Sequence, residues 1–248
     1  CDQFQQGLKN SLPEYNHHEI VSNYSRLVQS LRIFDNSCST ALFKTAEREK
    51  FLVYSDVIFI GFSAVAVISR QMSRRFQSYI FQEHFLDLKK LLQEENKIQI
   101  GIMQGRLLGK TIDEIVAPYR KSDMFFERAA ADSTGLLKMM INGRIDMMLM
   151  PPTDAIYCAE EIRLDPDSLL ILRIKDAVSY QKVYAACSKN DWGRRLISHI
   201  NQNISKNRLE ILNQYKRWLN KSSVSVYESI IDEVFPGLQQ VNKTNQSK

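Results

Sequence analysis

The stretch Thr45-Ala46-Glu47-Arg48-Glu49-Lys50 sits just after a short apolar segment, Thr40-Ala41-Leu42-Phe43, and just before Tyr54-Ser55. Six residues separate Arg48 from Ser55. An extended run then begins, Val57-Ile58-Phe59-Ile60 followed by Ala64-Val65-Ala66-Val67-Ile68, interrupted by Gly61. Apolar runs rich in β-branched residues read as buried strands. The order is a short strand, a polar Thr-x-x-Arg connection and a long strand. The run Val57–Ile68 falls short of the roughly 18–20 apolar residues that a membrane-crossing helix needs.

Outward from this stretch, helices alternate with short strands, the pattern of an α/β protein. Residues 2–11 read as a helix carrying Phe4, Leu8 and Leu12 on one face and stopped by Pro13, and a second helix covers Ser22 to Leu31. Downstream come a helix at 84–95, a strand at Ile98–Met103, a helix at Lys110–Ala117 and a strand at Met124–Arg128. Asp132-Ser133-Thr134 offers N-cap oxygens to a helix over Gly135–Ile141, and Asn142-Gly143 supplies its stop. Strands at Ile145–Met150, Leu169–Ile174 and Val183–Ala186 follow, with a helix at Thr153–Ile162 among them. The remainder reads as helical, up to a polar tail from Gln239.

Composition narrows the function classes. Of 248 residues, 44% are hydrophobic and 25% charged, which excludes a disordered chain. The net charge of +5 is spread along the sequence without a basic stripe interleaved with aromatics, so nucleic acid is not implied. The cysteines Cys1, Cys38, Cys158 and Cys187 contain no C-x-x-C pair, and the four histidines are scattered, so no metal site is read.

Two local signals have plainer readings. Gln104-Gly105-Arg106-Leu107-Leu108-Gly109-Lys110-Thr111 looks like a phosphate-cradling loop, but its glycines enclose three residues where that loop has four. The strand–turn–helix junction still offers backbone N–H groups to an anion. Met139, Met140, Met147, Met148 and Met150 read as core packing of a helix on the next strand. Asp146, inside an apolar strand, reads as a structural hydrogen-bonding group.

The Thr45–Arg48 segment gains weight from its register with Asn142-Gly143-Arg144-Ile145-Asp146 and with the strand–Gln104-Gly105–helix segment. Together they resemble the extracytoplasmic solute-binding proteins with the type 2 periplasmic-binding fold, in particular the substrate-binding proteins of amino-acid ABC transporters. Tyr184–Lys189 with Trp192-Gly193, and Leu12–Tyr15, suggest a divergent branch. The resemblance implies two α/β lobes, each a mostly parallel sheet flanked by helices, joined by two crossing strands around a ligand cleft. Lobe 1 would combine 1–68 with 175–248, and lobe 2 would be 69–174. Relatives begin with a strand that is missing here, so Cys1 reads as a truncation point, with a lipidated first residue as the other option.

The family's carboxylate-binding Arg corresponds to Arg48, whose planar fork of donors suits a carboxylate; an ordinary pair with Glu47 or Glu49 is the alternative. Thr45 would add a hydroxyl, and Phe62, Gly105 and Leu107 would line the ligand, with Arg106 as a second positive contact. The acid that grips an α-ammonium in the family falls near Met150-Pro151, where no acid stands, and Phe43 replaces a family hydroxyl. These departures imply an anionic, carboxylate-bearing solute rather than a free α-amino acid. In this fold the strands bearing Cys38 and Cys187 are antiparallel neighbours, which implies a Cys38–Cys187 disulfide and a free Cys158.

The function implied is non-catalytic: a periplasmic or otherwise extracytoplasmic bacterial monomer that binds a small solute, closes on it and presents it to an ABC permease. No cofactor and no catalytic residue are implied. The alternatives are the ligand-sensing domain of a membrane receptor, a small lyase on the same fold, and the effector-sensing domain of a transcription regulator.

Overall fold

The computed structural model describes residues 2–10, 12–82, 84–94, 97–219, 221–236 and 238. Cys1, the side chain of Phe4 and the tail from Gln239 lie outside this set. The chain divides into two compact units. Unit 1 comprises Cys1–His17, Leu31–Gly61 and Lys182–Lys248, and unit 2 comprises His18–Ser30 and Phe62–Gln181.

Unit 1 contains α1 (Asp2–Asn10) and the end of α2 (Tyr24–Ile33), whose earlier residues belong to unit 2. Its sheet joins β1 (Cys38–Leu42), β2 (Leu52–Phe62) and β10 (Tyr180–Ser188) in the order β1-β10-β2, with β1 antiparallel to β10. The chain leaves unit 1 inside β2, after Gly61, and re-enters it inside β10, at Lys182, so these are the crossing strands. Two helices close the chain, α8 (Asp191–Lys216) and α9 (Lys221–Val234). Leu196, Ile197, Ile200 and Ile204 of α8 bury one stripe at helical spacing against Ile58 and Ala185 of the sheet. Leu8 and Leu12 join the same cluster, the face read from the sequence.

Unit 2 is built on a seven-stranded sheet. Its members are β3 (Val65–Ser69), β4 (Ile80–Phe81), β5 (Phe85–Leu86), β6 (Ile100–Met103), β7 (Phe125–Arg128), β8 (Met147–Met150) and β9 (Leu169–Ile174), in the order β4-β5-β9-β3-β8-β6-β7. The pairings β5–β9, β8–β6 and β6–β7 are parallel, whereas β3 runs antiparallel to both its neighbours and β4 to β5. Helices α3 (Ser73–Phe76), α4 (Leu88–Glu94) and α5 (Lys110–Val116) bury their apolar residues in one core, and α6 (Thr134–Ile141) and α7 (Pro152–Glu161) in another. The strands serve both cores by their period of two. Met147 and Leu149 enter the first core, and Met148 and Met150 the second with Met140. All four residues of β8 are buried, the signature of a strand covered on both faces. The methionines are core, as read.

Differences from the sequence reading have local causes. The apolar run from Val57 breaks into β2 and β3 because Ser63 leaves the ladder: its N–H donates to the Ser179 carbonyl and its hydroxyl accepts from Gln181 Nε2. Residues 18–30 pack in unit 2, outside the lobe proposed for them. Helix α6 ends as read, with Gly143 supplying the left-handed residue (φ +68°). Asp132, not Ser133, caps its start by accepting from the Thr134 N–H at 2.8 Å. Among the described residues, no helix is long and apolar enough to cross a membrane, and no group of three His, Cys, Asp or Glu could hold a metal.

Candidate functional site

In unit 1, β1 ends at Leu42 and the polar connection curls into a 3-10 turn at Arg48–Lys50. Thr45 starts that turn: its carbonyl accepts from Glu49 N–H at 3.0 Å and its hydroxyl from Arg48 N–H at 3.3 Å. The Thr-x-x-Arg spacing is thus a local hydrogen-bonded geometry. Arg48 is buried, 8% exposed, and its Nη1 donates to the Phe43 carbonyl at 3.1 Å. The Tyr54 hydroxyl donates to the same carbonyl at 3.4 Å. Burial pushes the Tyr54 phenol up to about 12, against the opposing pull of Arg48. The two glutamates beside Arg48 face other cations, Glu47 toward Arg32 at 3.6 Å and Glu49 toward Lys44 at 3.0 Å.

The Ser55 hydroxyl accepts from Ala185 N–H at 3.0 Å and donates to Asp56 O, tying β2 to β10. Its place in the motif is structural. Cys38 stands opposite Cys187 in the β1–β10 register, and the two are bonded, as the resemblance implied. Cys158 is free and buried on α7, and burial pushes its thiol up.

In unit 2, Phe62 is partly buried at the end of β2. Gly105 follows β6 with φ +73°, and a Cβ there would lie 2.9 Å from the Ser25 backbone N. Only glycine allows α2 to come this close. Leu107 is partly buried and Leu108 fully so. The N–H groups of Leu108 and Gly109 donate to the Asp113 carboxylate at 3.1–3.2 Å. The junction that looked open to an anion is therefore served by the chain's own carboxylate.

Arg106 has a different setting from the one expected of a free cationic contact. Its Nη1 donates to Asp154 Oδ2 at 2.5 Å, and its guanidinium lies 5.0 Å from the Tyr24 ring centroid. Burial, the largest influence, opposes its charge, but Asp154 and Tyr24 together with Cys158 hold the guanidinium above its ordinary range. Asp154 lies in the first turn of α7, one helical turn beyond Pro151. Unit 2 thus has an acid close to the position where the sequence register found none. Neither Asp154 nor Tyr24 was singled out from the sequence. The only local signal was a carboxylate near a helix start.

No family model matches the chain, and no curated protein matches its sequence. Solved structures do. An ancestral arginine-binding protein bound to glutamine is 14% identical, with a TM-score of 0.62 over 88% of this chain and 86% of the other. The substrate-binding protein of an amino acid ABC transporter is 16% identical, with a TM-score of 0.58 over 94% and 86%. A histidine kinase sensor domain similar to periplasmic binding proteins is 10% identical, with a TM-score of 0.62 over 88% and 82%. The chain has the fold of the type 2 periplasmic solute-binding proteins.

Proposed function

We propose that this chain is a non-catalytic, monomeric solute-binding protein. It takes up a small carboxylate-bearing molecule outside the cytoplasm and presents it to an ABC-type permease. The observation that carries the reading is Arg48: a buried guanidinium placed by the turn that starts at Thr45, with its Nη1 on the Phe43 carbonyl. A buried guanidinium keeps its charge and offers a carboxylate two parallel donors. Thr45, Phe62, Gly105 and Leu107 are the further solute contacts in this reading. The Cys38–Cys187 bond supports an oxidising compartment.

The test is native mass spectrometry of the purified protein for a co-purified small acid, followed by calorimetry with that acid on Arg48→Ala. Loss of a charged hydrogen bond worth about 1.5–3 kcal/mol weakens binding roughly tenfold to a hundredfold. Undiminished binding by a folded variant removes Arg48 from the site. A second reading, the ligand-sensing domain of a membrane receptor, is supported by the likeness to the histidine kinase sensor domain. Binding is common to both, and capture of a permease or of a kinase from membranes separates them.

A further inference from the structure

Three arginines of unit 2 each hold a carboxylate: Arg75 pairs with Asp146, Arg106 with Asp154 and Arg120 with Glu127. Arg128 does not. It is the last residue of β7 and is half-buried, and its Nε is wholly buried with no hydrogen-bond partner. Among the described residues its guanidinium has no counter-ion. The adjacent Glu127 faces the other side of the strand and is taken by Arg120. Asp132, the next acid along the chain, accepts from Thr134 N–H and forms no ion pair with Arg128.

The surroundings leave the donors of this cation free. A Cβ on Gly135 would lie 2.5 Å from Nε, 2.5 Å from Cζ and 2.6 Å from Nη2 of Arg128. Near-equal distances to three atoms put the flat face of the guanidinium on Gly135, in the first turn of α6. A guanidinium's N–H donors lie in its plane, so they are directed past the helix rather than into it. Ser133, at the N-cap of α6, is 4% exposed, and its hydroxyl has no partner among the described residues. Donors shielded in this way lose hydration with nothing in return. An oxyanion supplies acceptors to both, and a guanidinium fork suits carboxylate or phosphoryl oxygens.

The place is one where open α/β sheets bind ligands. Strands β6 and β7 are parallel, with Met103 opposite Arg128. After β6 the chain passes to α5 and the core on one face of the sheet, and after β7 to α6 and the core on the other. Adjacent strands whose connections leave on opposite faces open a crevice beyond their carboxyl ends. We propose that unit 2 carries an oxyanion subsite at the carboxyl end of β7, with Arg128 as its cation and Ser133 as a hydroxyl donor. The group it takes is a carboxylate or a phosphoryl group of a small solute. The subsite is built by unit 2 alone and makes no use of Arg48.

The test is residue-resolved NMR of the full chain, following the Arg128 Nε–H and Gly135 N–H signals. Sodium acetate and sodium phosphate are titrated separately, against sodium chloride at equal ionic strength. Saturable shifts at both signals are expected with at least one oxyanion and not with chloride. A stronger response to acetate identifies a carboxylate subsite, and a stronger response to phosphate a phosphoryl one. Arg128→Gln is expected to weaken binding roughly tenfold or more, read at Gly135. Gly135→Ala keeps the charge while its Cβ displaces the guanidinium, and should weaken binding severalfold. Alanine favours the helix, and thermal melting by circular dichroism verifies that both variants fold. Lys138→Gln removes an exposed charge from the same helix and should leave binding unchanged. Absence of saturable shifts with both oxyanions overturns the proposal. So does an equal response to chloride, an unchanged titration in Arg128→Gln, or an equal weakening by Lys138→Gln. Binding at Arg48 is read at its own Nε–H in the same spectra, so the two readings fail separately.

Discussion

Cys38 and Cys187 face each other in one register of the β1–β10 ladder, with their Cα atoms 4.1 Å apart and their sulfurs bonded across 149 residues of sequence. The bond ties the first strand of unit 1 to the strand by which the chain returns to that unit. Closing so long a loop constrains the unfolded chain most strongly. Replacing both cysteines by serine is expected to cost about 2–4 kcal/mol, read by urea unfolding. Thiol labelling in denaturant without reductant, mapped by peptide, should modify Cys158 and spare Cys38 and Cys187. Labelling of all three would contradict the bond.

Gly105→Ala should destabilise unit 2. The new Cβ presses on Ser25, and φ +73° is costly for alanine. A loss of about 1–3 kcal/mol is expected, with increased hydrogen exchange over 22–30. Ser25→Gly in the same background removes only the clash with the hydroxyl, leaves the backbone N at 2.9 Å, and should recover only a fraction of the loss. Full recovery would show that neither the backbone conformation nor the backbone contact costs anything.

Asp113→Ala strips the acceptor from the N–H groups of Leu108 and Gly109, both buried. Leaving buried donors unpaired costs about 1–3 kcal/mol. Asp113→Asn keeps one carboxamide oxygen and should fall between native protein and Asp113→Ala in thermal stability.

The acid limb of stability should include Asp87. A side-chain hydrogen bond from Lys175, joined by the backbone N–H of Lys90, holds its carboxyl below 3.8. Because the folded value is depressed, the contribution is present above the unfolded value. It is lost as pH falls through the folded one. Urea unfolding from pH 6 to pH 3 should therefore show a shallower decline for Asp87→Asn than for native protein. Parallel curves would remove Asp87 from the account.

The parts of this fold legible in the sequence are those written locally. Strand β9 coincides with the apolar run Leu169–Ile174, and α6 ends where Asn142-Gly143 says it must. The disulfide came through a resemblance in strand order, because cysteine spacing alone leaves the pairing open. Arg48 was marked by its motif, yet its bond to the Phe43 carbonyl depends on how the turn folds back. Tyr24 and Ser25 were invisible because they meet Arg106 and Gly105 across some eighty residues of sequence. Asp154 is not legible because the register of the strand points to Met150-Pro151. The chain turns into α7 there, and one helical turn brings its carboxylate to Arg106.

Cys158 lies between Cys38 and Cys187 in sequence, so in the unfolded chain it is nearer to Cys38 than the native partner is. Cys158 belongs to unit 2, whereas Cys38 and Cys187 belong to unit 1. In the finished unit Cys158 is 1% exposed, with its thiol pushed away from the reactive thiolate form. Folding of unit 2 therefore withdraws the competing thiol from Cys38. The depth at which Cys158 is buried thus narrows the choice of partners left to Cys38 when the bond forms.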